Sequence, residues 1–252
     1  MAERGFLSRW LRRGALLGLC AAILGALGAG GAYWWFIVLH PGEHLERAAI
    51  LRTISQESPV YYRDGETRLG VFFAEEHRQY LAYAEIPRAF VDALVSAEDQ
   101  DFWDHSGFSV RGIARAMASN AKAGRVVEGG STLTQQTAKN LFKRQGRTLK
   151  EKLRELANGL RLERLYTKED ILEFYSNQFY VNGNGRGVAI AARFFFDKDP
   201  SQLDLLECAF LAGVVKSPNR YNPWVAGQDK EARNRTRARE RADYVLGRML
   251  ED

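Results

Sequence analysis

The chain has 252 residues, enough for one domain with a sizeable core plus an appendage. Apolar residues make up 46% and charged residues 27%, which excludes a disordered chain. The net charge of +5 suits an anionic partner (nucleic acid, a phosphate-bearing substrate or a membrane surface) without choosing among them.

No charged residue occurs from Gly14 to Leu39. Roughly 26 helical residues at ~1.5 Å each outreach a hydrocarbon layer of ~30 Å. Tyr33, Trp34 and Trp35 gather at the distal end, as an interfacial belt does, and Arg4, Arg9, Arg12 and Arg13 precede the run. Positive flanks stay cytoplasmic, so the amino terminus is expected inside and the remainder outside. A cleaved signal peptide is the competing reading, but the run is too long and lacks a small-x-small cleavage site. The expected organisation is a cytoplasmic start over 1–13, an anchor over 14–39, a juxtamembrane linker over 40–57, helical around Glu46 to Ile54, and a folded domain over 58–252.

Val60-Tyr61-Tyr62, a turn at Asp64-Gly65, and Leu69 to Phe73 read as a β-hairpin. No later stretch shows convincing strand alternation. Pro87 suits the first turn of a helix through Phe90, Leu94 and Val95 to Glu98. A second helix covers Val110 to Ala121, and Gly124 to Gly130 reads as a loop. A third runs from Thr132 to Phe142. Thr148 with Glu151 resembles a capping box opening a helix to Leu165, and Thr167 with Asp170 repeats the pattern before Ile171-Leu172. Asn182 to Gly187 is a glycine-rich turn. Ser201 is expected to open the next helix, through Leu205 and Ala209 to Val214, ended by Pro218 and Pro223. A charged helix closes the chain. Its Arg233, Arg235, Arg237, Arg239 and Arg241 are expected to decorate an exposed face, with anionic lipid as a secondary partner. Cys20 and Cys208 and four scattered histidines (His40, His44, His77, His105) show no metal-ligand spacing.

Three stretches carry possible chemistry. Glu98, Asp99, Asp101 and Asp104 cluster at a helix end, where the macrodipole favours cations. A carboxylate shielded there by Phe102 and Trp103 would have a raised pKa and suit a general base. A solvated acidic turn is the bland alternative. Gly129-Gly130-Ser131-Thr132 leads into a helix start able to accept an anion, with Gln136, Lys139 and Asn140 on one face. Arg147, Glu151 and Glu155 step by four, a pattern that an ordinary solvated helix face also gives. Together they suggest a cleft with a base, cations for phosphate and polar groups for a sugar.

The chain closely resembles the peptidoglycan glycosyltransferase (transglycosylase) family, glycosyltransferase family 51, from about Ser58 onward. That module occurs alone in monofunctional enzymes and at the front of class A penicillin-binding proteins. The matching runs are Glu98-Asp99…Phe102…His105-x-Gly107, Gly129-Gly130-Ser131-Thr132-x-Thr134-Gln135-Gln136…Lys139-Asn140 and Arg147…Lys152-x-x-Glu155. Ile171-Leu172…Tyr175-x-Asn177 and Leu211-Ala212…Lys216-x-Pro218-x-x-Tyr221-x-Pro223 follow.

The resemblance implies a mainly α, lysozyme-like domain that polymerises lipid II onto a lipid-linked growing glycan chain with inversion, releasing undecaprenyl pyrophosphate. Glu98 then matches the general base. Lys139 and Arg147 match groups that bind the pyrophosphate, and Lys152 and Glu155 match a second cluster near the donor, where Glu155 orients basic groups or assists the departing pyrophosphate. Ser131, Thr132, Gln136 and Asn140 match substrate contacts. Asp99, Phe102 and His105 match the support of the Glu98 turn. No side-chain cage for a metal is apparent, and Mg²⁺ or another divalent cation is the only cofactor implied. The implied setting is the bacterial cytoplasmic (inner) membrane, crossed once with the catalytic domain on the periplasmic side. Other cell-wall synthesis or division proteins are the further partners implied, and nucleic acid is not.

Four departures stand out: Glu151 where a basic residue is usual, Asn182 for a glycine, Asp197 for a glycine, and Ser109 for an aspartate. They motivate a weakened member acting as a scaffold. A lysozyme-like hydrolase also uses a shielded carboxylate, but Lys139 and Arg147 favour a pyrophosphate leaving group over water chemistry. Ser119-x-x-Lys122 lacks any Lys-Thr-Gly companion, so no transpeptidase chemistry is expected here.

Overall fold

The computed structural model describes residues 2–55, 58–72, 77–125, 129–142, 146, 148–182, 185–224 and 228–251. These form two units, Met1–Glu43 and His44–Asp252. In the first, helix α1 (Ala2–Tyr33) continues as a π-helical stretch over Trp34–Leu39. Gly14–Leu39 is long and apolar enough to cross a membrane, and Leu16, Leu17, Leu24 and Leu27 stand fully open. A helix apolar all round needs an apolar medium or partner.

The second unit begins with α2 (Arg47–Ile54), whose Ile50 and Ile54 join Leu45 inside the core. This stretch, expected as part of a linker, therefore belongs to the folded body. The reason is that its three aliphatic side chains are buried there. Strands β1 (Ser58–Tyr61) and β2 (Arg68–Phe72) pair antiparallel as the expected hairpin. Asp64 Oδ1 caps the turn, accepting from the backbone N–H groups of Glu66 (3.0 Å) and Thr67 (2.9 Å). Phe73 lies outside the described residues.

A second sheet was not expected. β3 (His77–Arg78) runs parallel to β5 (Gly185–Arg186), which pairs antiparallel with β4 (Tyr180–Asn182). Strands of two or three residues are too short to display alternation, so pattern reading could not find them.

The helices between follow the sequence closely. α3 (Arg88–Glu98) starts after Pro87 and has Phe90, Val91, Ala93, Leu94 and Val95 buried. α4 (Val110–Ala123) is capped by Ser109, α5 (Leu133–Leu141) by Thr132, α6 (Leu149–Leu165) by Thr148 and α7 (Lys168–Ser176) by Thr167. α8 spans Val188–Phe196. α9 (Leu205–Val215) begins four residues beyond the expected Ser201. Asp204 and Glu207 form a full capping box, and Ser201 instead sits in a 3-10 turn, Pro200–Gln202. α10 (Pro218–Tyr221) and α11 (Gln228–Glu251) close the unit. α3, α9 and α11 pack against one another, while α5 packs on α6 and α7.

Two polar side chains fasten the start of the unit to α7. Glu173 accepts from Arg47 (2.9 Å), the Tyr80 hydroxyl (2.6 Å) and the Tyr83 N–H (2.9 Å). Burial and this carboxylate push the Tyr80 phenol up to about 12. Asn177 pairs with Leu81 as a strand would: its Oδ1 accepts from Leu81 N–H (2.9 Å) and its Nδ2 donates to Leu81 C=O (2.8 Å). Gly187, at φ +88°, lies so close that an added Cβ would meet the Asn177 Cα at 3.1 Å.

Asn177→Ala strips the side-chain partners from the N–H and C=O of buried Leu81, while the Glu173 carbonyl keeps the backbone N–H of residue 177 (3.2 Å). A destabilisation of about 3 kcal/mol is expected, read by thermal unfolding of the full chain in detergent. An unchanged melting temperature would refute this clamp.

Candidate active site

α3 carries Glu98 out of the core at its last residue. The side chain is 11% exposed and forms an ion pair with Arg241 of α11, itself 8% exposed. Glu98 lines a cavity of about 240 Å³ together with Ser131, Gln136, Lys216, Arg115 and Arg248. Burial pushes the Glu98 carboxyl above the usual carboxylate range. Arg241, then Lys216 and a hydrogen bond with Gln136, pull against that rise, and neighbouring Asp99 adds to it. A carboxyl raised by desolvation yet facing cations is suited to taking up and releasing a proton. Behind it Tyr175 is fully buried, donates to Gln136 Oε1 (3.3 Å), and is held well above its ordinary pKa by burial and the Glu98 charge. Its hydroxyl stays protonated.

The acids after Glu98 serve the neighbouring helices. Asp99 is buried; its Oδ2 accepts from the N–H of Leu133, the first residue of α5 (2.8 Å), and from His105 Nε2 (2.9 Å). His105 Nδ1 accepts from Gly107 N–H (3.1 Å), so the ring hydrogen sits on Nε2. Asp101 accepts from Ser109 Oγ (2.8 Å) and Arg111 (3.2 Å), and the Ser109 bond leads in holding its carboxyl below the usual range. The cluster opposes the dipole of α3 but complements the amino-terminal ends of α5 and α4. The start of α5, expected to receive an anion, is thus already filled by Asp99. Phe102 is fully buried, edge-on to Trp103 (5.2 Å) and His105 (5.9 Å), with Lys168 Nζ 4.5 Å above its ring. Lys168 also donates to the His105 carbonyl (2.6 Å) and to Glu163 (2.8 Å).

Thr132 gives its hydroxyl hydrogen to the Gly107 carbonyl (2.9 Å) and accepts from Gln135 N–H (3.2 Å). Its hydroxyl is therefore committed to the backbone. Lys152 Nζ donates to Ser131 Oγ (3.0 Å) and Gln135 Oε1 (3.2 Å) and pairs with Glu155. Ser131 and Lys152 also line a cavity of about 420 Å³ walled by Phe108, Ile113, Met117 and Leu153. Lys139 is exposed and lines a separate depression of about 20 Å³ with Glu151, Arg154 and buried Glu155. Asn140 is half-buried beside it on α5.

Glu98 and Lys139 therefore line different cavities, against the expectation of one shared groove. Gln136, which lines the Glu98 cavity, and Lys139 lie three residues apart on α5. Ser131 is common to the first two cavities, and the Lys152–Glu155 pair links the second to the third. Arg147 lies outside the described residues. Glu151, expected to close a capping box or pair with Arg147, turns to Arg154 (2.7 Å).

The cations nearest Glu98 were not chosen from sequence. Lys216 stood inside a motif without a role. Arg241 was assigned to an exposed arginine face. Arg233, Arg235 and Arg239 are exposed, but Arg241 is buried. The missed signal is a helical stripe, Asn234, Ala238, Arg241 and Val245, all buried. As for a divalent cation, no group of three or more His, Cys, Asp or Glu among the described residues could hold one. Both acids flanking the cavity already have partners, so the side chains do not fit an all-protein metal cage.

The sequence profile described as Transglycosylase matches residues 65–250. Penicillin-binding protein 1A of Pseudomonas aeruginosa is 37% identical over 234 residues, covering 92% of this chain and 26% of that protein. Penicillin-binding protein 1A of Aquifex aeolicus is 40% identical over 79% of this chain and 26% of its own length. Penicillin-binding protein 1B of Vibrio cholerae is 44% identical over 70% of this chain and 22% of its own length. The chain thus spans about a quarter of the length of these relatives. With a profile match over most of its residues, the chain belongs to the transglycosylase family, the peptidoglycan glycosyltransferases of glycosyltransferase family 51.

Proposed function

We propose that the chain polymerises lipid II into β-1,4-linked glycan, with Glu98 as general base. The buried Glu98 carboxylate, raised by desolvation and lining a cavity with Gln136, Ser131 and Lys216, carries this reading. In the proposed step Glu98 takes the proton of the acceptor sugar's 4-hydroxyl. That oxygen attacks the donor's anomeric carbon from the face opposite the pyrophosphate. The C1–O bond to pyrophosphate breaks, its electron pair leaves with undecaprenyl pyrophosphate, and configuration inverts. Fixed cations stabilise charge growing on the leaving group. Lys152, held by Ser131 and Gln135 and paired with Glu155, is positioned to serve, with Lys139 and Arg147 as the further cations. Asp99, Phe102 and His105 hold the turn that aims Glu98. A divalent cation would add Lewis-acid charge at the pyrophosphate, but no step above runs through one. We place the reaction at the outer face of the bacterial inner membrane, with Gly14–Leu39 as the anchor and Arg4 to Arg13 on the cytoplasmic side.

Glu98→Gln should lower the rate of glycan formation from purified lipid II by about 10²–10⁴-fold, the usual worth of a general base. Equal glycan yield from both proteins, measured by gel separation of labelled strands, would sink the assignment.

Glu151 lowers the positive potential beside Lys139. Glu151→Arg is expected to polymerise lipid II at an equal or higher rate. A clear loss with unchanged thermal stability would mean that the acid is needed where it stands. No product from the unaltered chain, beside an active control enzyme, would favour the scaffold reading.

A further inference from the structure

We infer that Arg241 is a positioning residue for the reaction, holding the Glu98 carboxylate in one orientation from the side away from the substrate. The inference rests on the reading of Glu98 as the base.

Three observations carry it. Arg241 comes from α11, lies 143 residues from Glu98 in sequence, and is buried beside it. It is not among the residues lining the cavity that Glu98 enters, whereas Tyr244 and Arg248 of the same helix are. The cation therefore stands behind the acid and leaves the open side to a substrate. Its own placement is built in: the guanidinium lies 4.6 Å from the Tyr244 ring centroid, and its stem crosses α9 at Gly213. A Cβ there would stand 3.0 Å from Arg241 Cγ, so a larger residue would push the stem aside by a few tenths of an ångström.

The physical consequence follows from burial. A desolvated carboxyl drifts toward its neutral form, which cannot accept a proton. Arg241 opposes that drift most strongly, followed by Lys216 at the end of α9. The other groups around Glu98 are Gln136 on α5, Tyr175 on α7, Arg115 on α4, Tyr244 and Arg248 on α11, and Asp99 beside it. Among them Asp99 pushes the carboxyl up, so losing Arg241 leaves Lys216 as the chief opposing cation. The carboxyl then rises further, and the ionised base forms only at higher pH.

The test is a pH–rate profile on lipid II in detergent with the full chain, its Arg241→Gln and Arg241→Lys variants, and Glu98→Gln. For Arg241→Gln the acid limb of kcat/KM should move up by about one pH unit. Its kcat at neutral pH should fall at least about tenfold, with KM for lipid II little changed. Arg241→Lys should keep the limb near its original position while losing part of kcat, because the planar fork is gone. An unmoved limb in Arg241→Gln, or a raised KM at unchanged kcat, would overturn the inference. Should Arg241→Gln fail to fold, Arg241→Lys decides: a displaced limb or a wild-type kcat counts against it. If Glu98→Gln stays fully active, the base reading itself fails. If that variant is dead while Arg241→Gln keeps the original limb, only the inference falls.

Discussion

A carboxylate buried at the end of a core helix sets the terms for the rest of the molecule. Taking an ionised group out of water costs several kcal/mol unless partners are supplied. The middle of α3 is buried and apolar, so the partners of Glu98 come from outside its own helix. They come from α11 (Arg241), the end of α9 (Lys216) and α5 (Gln136). Three distant parts of the chain must dock for one acid to remain both buried and ionisable. The small residues of α9, among them Ala209, Ala212 and Gly213, let α3 and α11 come close enough.

The acids that follow Glu98 look unfavourable on α3 and become favourable once α4 and α5 are in place. Asp99 fills the amino-terminal end of α5, and Asp101 reaches Ser109 and Arg111 at the start of α4. Behind them His105, Glu163 and Lys168 form a buried polar set that closes around Phe102. Such networks are rigid when their members are satisfied. The turn carrying the proposed base is therefore fixed by two helix ends and one histidine. Ser109, a departure from the family pattern, still caps α4, accepting from Gly112 N–H at 2.7 Å.

The proposed reaction divides between two neighbouring positions of one short helix. Gln136 faces the cavity of Glu98, while Lys139 faces Glu155 a turn further on. Ser131 and Lys152 lie between, joined by a 3.0 Å hydrogen bond. Lys139 thus stands outside the Glu98 cavity, whose own cations are Arg115, Lys216 and Arg248. Glu155 limits Lys152, since the buried acid holds that ammonium in place.

Elements with strong local signals are legible in the residue order alone. The apolar run over Gly14–Leu39, the Asp64-Gly65 hairpin, the helix after Pro87 and the caps at Thr132, Thr148 and Thr167 all depend on neighbours within a few residues. The family motifs likewise placed Glu98, Lys152 and Glu155 in view as ordered residues. Tertiary structure alone decided what those residues face. The short strands of the second sheet exist only because His77–Arg78 finds Gly185–Arg186 more than a hundred residues away. α2 became core because Leu45, Ile50 and Ile54 had a surface to bury against. Arg241 looked like one more charge on a basic helix until packing turned its stripe inward toward Glu98. Local patterns report interactions between residues a turn apart, whereas a buried ion pair depends on which distant surfaces meet, and no spacing in the chain encodes that directly.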